Sequence, residues 1–112
     1  MVDQTSYVKY LVDTGAATSV YPRSLITDSV EEDPAPTLIA ANNTSIKTYG
    51  CKSIKVDLGL GSLTYDANFV VADISQPILG ADFLSSYGLL VDLANRRLIE
   101  PTQGMTILGV LV

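Results

Sequence analysis

Apolar and polar residues alternate along much of this chain, and such alternation is typical of β-strands that bury one face. It predicts strands over Tyr7–Val12, Ser53–Leu58 and Leu63–Ala72, with Gly59-Leu60-Gly61 as a turn. The run Ser19–Pro22 predicts a further strand, which ends at its proline because proline has no N–H group for a ladder hydrogen bond. The pattern therefore indicates an all-β chain.

Two pairs of apolar runs flank turn-forming residues and predict hairpins. The first pair is Thr37–Ala40 and Ile46–Tyr49, and the asparagines between them suit the positive φ angles of a hairpin tip. In the second, Leu89–Leu93 and Arg97–Ile99 bracket Ala94-Asn95-Arg96 as a closing hairpin.

Helical signals are few. Ile78-Leu79-Gly80 reads as a buried strand end that leads into one helix, Ala81–Tyr87, which Gly88 ends. Arg23–Ser29 predicts a short helical turn, and residues 30–36 predict an acidic, solvated connector. The tail Met105–Val112 is too apolar to be exposed, so it either forms an interface or packs on its own subunit.

Asp13 is the first candidate for chemistry, because a strand delivers it into the tight turn Asp13-Thr14-Gly15. Its sequence neighbours include no cationic residue, so the carboxylate must be solvated, paired or partly protonated. Thr14 can both donate and accept a hydrogen bond, and Gly15 lets backbone N–H groups come close. An ordinary β-turn with Asp at its first position is the alternative, since so short a motif is frequent.

A second passage, Ile78-Leu79-Gly80-Ala81, repeats the order of two apolar residues and a Gly-Ala turn 65 residues after Gly15. The two passages read as an internal pseudo-repeat. None of the other acidic residues repeats the Asp-Thr-Gly setting, so the chain carries one such carboxylate. A second copy of the chain would supply another.

Composition narrows the classes of function. The 112 residues, 47% hydrophobic and 17% charged, predict one globular domain spanning residues 1–112. The net charge of −5, with no basic cluster larger than Arg96-Arg97, argues against nucleic acid and anionic membranes as partners. One cysteine and no histidine exclude a disulfide framework, a Cys/His zinc site and any His-dependent triad. No metal or cofactor is expected, and the absence of a signal pattern predicts a cytosolic protein.

These motifs together resemble the retropepsins, the aspartic proteases of retroviruses and LTR retrotransposons, and most of all the gypsy-type branch. The resemblance rests on Leu11–Ala16 followed at family spacing by Gln76–Leu84. Further similar segments lie between them, at Leu38–Asn42, Lys47–Gly50 and Phe69–Asp73. It covers about residues 8 to 100, most of the chain.

The resemblance implies a subunit with a closed β-barrel and one short helix, active as a homodimer without a cofactor. Asp13 of each subunit would be catalytic, Thr14 would bond across the dyad, and Gly15 would complete the turn. Two carboxylates about 3 Å apart share one proton, so one can activate water while the other hydrogen-bonds the peptide carbonyl. The implied substrate is a retroelement polyprotein of the Gag-Pol type.

The resemblance also assigns residues to substrate binding. Residues 38–50 look like the flap that closes over substrate, although an ordinary surface hairpin is the alternative. Substrate would lie as an added strand between the flap and the Gly15 turn. The residues expected to contact it are Ala16, Ala17, Val20, Ala41, Asn42, Asn43, Thr44, Ile46, Val71 and Ile78.

One feature departs from the retroviral pattern. Retroviral members commonly carry an acid and an arginine at the positions of Ala17 and Ala81, and the two pair near the interface. Both are missing here, which avoids an unpaired charge but removes a substrate contact and some dimer stability. A catalytically silent, domesticated peptide-binding or dimerisation module, and a retropepsin-like domain of a larger cellular protein, stay open as alternatives. Replacing Asp13 by Asn separates a protease from a binding module.

Overall fold

Strands are the commonest regular element among the residues that the computed structural model describes, which are residues 9–27, 38–39, 42–59 and 64–108. The strands are β1 (Leu11–Val12), β2 (Val20–Pro22), β3 (Leu38–Ile39), β4 (Ser45–Ile46), β5 (Thr48–Val56), β6 (Tyr65–Ala72), β7 (Ile78–Leu79), β8 (Leu90–Asp92), β9 (Arg97–Glu100) and β10 (Met105–Leu108). Arg23–Leu25 forms one turn of 3-10 helix, and Ala81–Ser86 forms the helix α1. Predictions for residues 7, 8, 28–37, 40, 41, 60–63 and 109–112 lie outside the described ranges.

The described strands form three sheets. The largest has five strands in the order β1-β7-β2-β6-β5, the second has the order β10-β9-β8, and β3 pairs with β4. The fold is thus mostly β with one short α-helix, as the alternation predicts. Within the described ranges β1 and β5 are the edges of the large sheet, so the closed barrel and the homodimer stay predictions.

The long hairpin of β5 and β6 supplies most of the large sheet. Its antiparallel register runs from Thr48↔Ala72 to Val56↔Tyr65, with an irregularity between Thr48 and Gly50. The predicted strands Ile46–Tyr49 and Ser53–Leu58 are wrong in one respect, because Thr48–Val56 is a single nine-residue strand. Gly50 resembles a strand break in the sequence, but here its φ of 122° accommodates the irregularity and pairing continues.

Three aromatic rings in mutual contact lie in the hydrophobic core that packs against the large sheet. Tyr10, Tyr21 and Phe69 lie with ring centroids 5.3 to 6.4 Å apart. Val12 and Leu79, at the ends of β1 and β7, are fully buried in the same cluster. Each such side chain contributes about 1.5 to 3 kcal/mol by leaving water. The strand that leads to Asp13 is therefore held in place by the burial of its side chains in the core.

A second aromatic group fastens α1 to β6. The rings of Tyr65, Phe83 and Tyr87 lie 4.7 to 5.7 Å apart, each within reach of the other two. The helix ends at Ser86 rather than at the predicted Tyr87, which is the C-cap residue. Gly88 follows with a φ of 62°, a left-handed conformation that suits glycine at a helix end.

The last three strands form the predicted closing hairpin and one strand more. β8 and β9 are antiparallel, and the Arg97 Nε donates to Asp92 Oδ2 at 2.9 Å across the hairpin. β10 pairs with β9 of the same chain, and Met105 and Ile107 pack against the core. Residues 105–108 of the apolar tail thus lie on their own subunit. No helix in the described part of the chain is long and apolar enough to span a membrane.

Candidate active site

The strand that carries Asp13 lies beside its counterpart in the pseudo-repeat. β1 and β7 are parallel, with Leu11 opposite Ile78 and Val12 opposite Leu79. The Asp13 N–H donates to the Leu79 carbonyl at 3.0 Å, which continues this ladder to the start of the turn. The two apolar-apolar-turn passages are therefore neighbours in the sheet, and the backbone of Asp13 is held by the second of them.

The Asp13 side chain is oriented by the main chain of its own turn. Its Oδ1 accepts the Gly15 N–H at 2.9 Å, and its carbonyl accepts the Ala16 N–H at 3.2 Å. Asp13 is half-buried, whereas Thr14 and Gly15 are exposed. Among the described residues the ion pairs are Lys55 with Asp66 and Arg97 with Asp92, and neither involves Asp13. The carboxylate is thus oriented by the Gly15 backbone N–H, without a cation from the described residues, and is partly exposed.

The segment after this turn, residues 16–19, packs against the segment 80–82. Ala81 and Asp82 donate their N–H groups to the carbonyls of Ala16 and Ala17, at 2.7 and 3.2 Å. Ala17 and Ala81, the positions where the retroviral pattern commonly carries a charged pair, therefore each take part in a backbone hydrogen bond between the two segments. The two backbone segments lie very close together at Gly80, because a Cβ on this residue would lie 2.6 Å from the Ala16 carbonyl oxygen. Only glycine fits at this position.

Two side chains that the sequence pattern did not point to complete this contact. Ser19 is fully buried, and its Oγ donates to Asp82 Oδ1 at 2.7 Å while accepting the Gly80 N–H at 2.9 Å. The other oxygen, Asp82 Oδ2, accepts the Ser19 N–H at 3.1 Å. The residues are 63 positions apart, so local patterns carry no sign of the pair.

The candidate flap is a short hairpin whose tip is shaped by asparagines. β3 and β4 are antiparallel, with Leu38 opposite Ile46. At the tip, Asn42 Oδ1 accepts hydrogen bonds from the Thr44 N–H at 3.2 Å and the Thr44 hydroxyl at 2.6 Å. Asn43 has a φ of 68°, which confirms the expected use of a positive φ angle here. The tip is exposed, and Ala41 lies outside the described residues.

An aromatic anchor lies at the base of this hairpin. The Tyr49 hydroxyl donates to Asp73 Oδ1 at 2.8 Å, and the Lys47 ammonium lies 5.0 Å from the centre of the tyrosine ring. The hydrogen bond to Asp73 is the main cause that raises the pKa of Tyr49 above its ordinary value. This hydrogen bond joins the start of β5 to the residue that follows β6. It restrains the chain at the point where the β3–β4 hairpin meets the large sheet.

Comparison with known proteins identifies the family of this chain. Residues 2–92 match the family described as retroviral aspartyl protease. The chain belongs to this family. A comparison with curated proteins found no match.

Two solved structures show the same fold as this family member. The EIAV protease in complex with the inhibitor HBY-793 is 22% identical, with a TM-score of 0.56 and coverage of 73% of this chain and 78% of that chain. The retroviral protease-like domain of Ddi1 from Leishmania major is 21% identical, with a TM-score of 0.59 and coverage of 88% and 81%. At these identities the likeness concerns the fold alone, and it agrees with the retropepsin-like architecture expected from the motifs.

The apolar wall expected beside Asp13 needs one correction in this family member. Val20 pairs with both Ile78 and Val70, so these three side chains share one face of the sheet. Val71, expected in that wall, pairs with Tyr21 and belongs to the core cluster on the opposite face; Val20 and Val70 are also buried, whereas Ile78 is half-buried. The alternation Tyr65, Ala67, Phe69, Val71 already indicated the core face. Val70 takes the place of Val71 beside Val20.

One surface cavity lies away from this site. It has a volume of about 290 Å³ and lies between β6 and α1, lined by Asp66, Ala67, Asn68, Asp82, Phe83, Ser86 and Tyr87. Asp13 does not line it, so it is not the candidate active site. In the described part of the chain no three side chains of the metal-ligating kinds are grouped closely enough to hold an ion.

Proposed function

We propose that this protein is an aspartic endopeptidase whose active site forms when two copies of the chain bring their Asp13 residues together. The observation that carries this proposal is the Asp13 turn: a half-buried carboxylate with one oxygen held at 2.9 Å by the Gly15 N–H and no cationic partner in the described residues. The chain has a single Asp-Thr-Gly, so the second carboxylate must come from another copy. Membership of the retroviral aspartyl protease family supports this arrangement.

The chemistry follows from bringing two such carboxylates within about 3 Å. The pair shares one proton because like charges at that distance do not both ionise. The ionised carboxylate takes a proton from a water molecule, and the water oxygen attacks the peptide carbonyl carbon. The protonated partner donates a hydrogen bond to the carbonyl oxygen and stabilises the charge that develops there. Thr14 of each copy is proposed to bond to the opposite turn and to align the two acids.

The proposed substrate is an extended peptide that lies between the Asp13 turn and the flap hairpin. Its backbone would pair with the edges on both sides, and alternate side chains would enter pockets. The face that carries Val20, Val70 and Ile78 is apolar and adjoins β1, which favours hydrophobic residues around the scissile bond. A polyprotein of the Gag-Pol type is the proposed natural substrate, with cleavage in the cytosol.

The test is peptide cleavage near pH 5 at protein concentrations from nanomolar to tens of micromolar. We expect activity that rises faster than linearly with concentration, because two copies are needed for one site. Asp13→Asn should abolish cleavage while the far-UV circular dichroism spectrum and the unfolding midpoint stay close to those of the unchanged protein. A pepstatin-type inhibitor should also stop cleavage.

Two results would contradict the proposal. Cleavage that persists in Asp13→Asn would show that another group or a contaminant is responsible. Absence of cleavage at every concentration, with sedimentation showing a folded monomer, would favour a catalytically silent module, and retained peptide affinity in Asp13→Asn would then support a binding function.

A further inference from the structure

Residues 16–19 and residues 80–82 are joined by side-chain hydrogen bonds as well as by backbone hydrogen bonds. The backbone hydrogen bonds, from Ala81 to Ala16 and from Asp82 to Ala17, already bring the two segments together. Ser19 and Asp82 add three more through their side chains. A fully buried serine hydroxyl that both donates and accepts is costly to misplace, since each lost partner leaves a buried polar group unsatisfied.

We propose that Asp82, acting through Ser19, is a positioning residue that holds the Asp13 turn in the orientation needed for catalysis. The inference rests on the proposed function, since Asp82 is assigned a role in placing the catalytic carboxylate. Ser19 ends the segment that begins three residues after Asp13, and the Asp82 carboxylate binds both the backbone N–H and the hydroxyl of Ser19. Fixing this end of the segment restrains the turn at the other end.

The charge and donor pattern explain why the acceptor must be a carboxylate. Asp82 Oδ1 accepts the Ser19 hydroxyl at 2.7 Å and the Phe83 N–H at 2.7 Å, while Oδ2 accepts the Ser19 N–H at 3.1 Å. All three groups are donors, and an ionised carboxylate has acceptor sites only. In Asp82→Asn, whichever way the amide is turned, its NH₂ group faces an N–H or O–H donor. The variant is nearly identical in size, so it tests hydrogen bonding rather than packing.

A kinetic experiment separates positioning from a merely structural role. In Asp82→Asn we expect kcat to fall by roughly ten- to a hundredfold, at protein concentrations that saturate the dimer, with KM changed by less than about twofold. Ser19→Ala should lower kcat similarly, and the double variant Ser19→Ala/Asp82→Asn should be no slower than the worse single variant, because the two residues act as a unit. Asp66→Asn is the matched control: that exposed carboxylate makes an ion pair at 4.0 Å with Lys55, and kcat should not change.

Amide hydrogen exchange followed by NMR tests the inference without using cleavage. The Ser19 N–H bonds directly to the Asp82 side chain, so a change in its exchange is expected whether the role of Asp82 is positional or structural, and it is not diagnostic. The Gly15 and Ala16 N–H groups are diagnostic, because their acceptors are the carboxylate and carbonyl of Asp13. We expect their exchange to become at least about tenfold faster in Asp82→Asn, with the β8–β9 hairpin and the Asp66→Asn variant unchanged.

The outcomes are distinct for the two proposals. If the unchanged protein never cleaves peptide, the proposed function fails, and the exchange rates still decide whether Asp82 positions the turn. If Gly15 and Ala16 exchange at the same rate in Asp82→Asn, or if kcat per folded dimer is unchanged while only the unfolding midpoint falls, the inference is overturned and the pair is structural.

Discussion

Gly80 offers the sharpest test of how the Asp13 turn is packed, through the substitution Gly80→Ala. An added Cβ would lie 2.6 Å from the Ala16 carbonyl oxygen and 2.9 Å from two Thr18 backbone atoms. Ordinary carbon–oxygen contacts are about 3.3 to 3.6 Å, so the backbone must separate by roughly 0.7 Å or more. No side chain can rotate to make room, because every one of these neighbours is main chain.

The cost can be worked from these contacts. Overpacking of this kind costs about 1 to 3 kcal/mol, and backbone neighbours place Gly80→Ala at the upper end. The Ala16 carbonyl also accepts the Ala81 N–H at 2.7 Å, and displacing it forfeits about 1 kcal/mol more. We therefore expect a loss of about 3 to 4 kcal/mol in the free energy of unfolding. At about 4 °C per kcal/mol, Tm falls by roughly 12 to 16 °C.

The assay is urea unfolding at one fixed protein concentration, because dimerisation makes the midpoint depend on concentration. Gly15→Ala is the matched control. Its Cβ would meet only Asp13 Oδ1, at 3.3 Å, and neither glycine has a left-handed φ, so the two substitutions differ mainly in sterics. Gly15→Ala should cost less than about 1 kcal/mol, since the neighbour is a side-chain oxygen that can yield. A Gly80→Ala protein as stable as Gly15→Ala would refute the close approach of the two segments.

Three further predictions concern the core and the last hairpin. Tyr65→Phe should leave the free energy of unfolding unchanged or raise it by up to about 1 kcal/mol, because the buried Tyr65 hydroxyl has no hydrogen-bond partner in the described residues; a clear loss in urea unfolding would reveal a missed partner. Val71→Ala should cost about 2 kcal/mol yet leave the relative cleavage of different peptides unchanged, and altered peptide preference would return Val71 to the substrate wall. The N–H of Gln103, and next to it that of Thr102, hold the pKa of Glu100 below its ordinary value of 4.5. A lowered folded-state pKa stabilises the protein above that value, and the stabilisation is lost as pH falls through the folded-state pKa, so the Tm deficit of Glu100→Gln should be present near pH 7 and shrink near pH 3.

Alternation of apolar and polar residues predicts both the strands and the face that each side chain occupies. The alternation located β6, and its odd-numbered members Tyr65, Phe69 and Val71 all point into the core. The same period of two puts Val71 on the core face, away from the face that carries Val20. The apolar pattern could not predict that β5 is one continuous strand. Gly50 interrupts the pattern, but the backbone pairing with β6 continues past it.

The Ser19–Asp82 contact illustrates what local patterns cannot supply. Neither residue is unusual in its own segment, and their meeting depends on β1 and β7 being parallel neighbours. The pseudo-repeat suggested that the two passages are related, and the sheet places them side by side. Side-chain bonds that arise only after such a long-range contact forms leave little trace in a single sequence.

The register of β1 and β7 bears on the proposal that the active site needs a second copy of the chain. Val12 lies opposite Leu79, so the residue after each strand is Asp13 in one passage and Gly80 in the other. Gly80 carries no side chain, and the backbone of residues 16–18 fills the space that one would need. Gly80, which follows β7 as Asp13 follows β1, therefore cannot be replaced by an acid without separating the two segments. The close contact of Gly80 with residues 16–18 thus excludes a carboxylate at this position in the same chain, which favours a second copy of the chain as the source of the proposed partner acid.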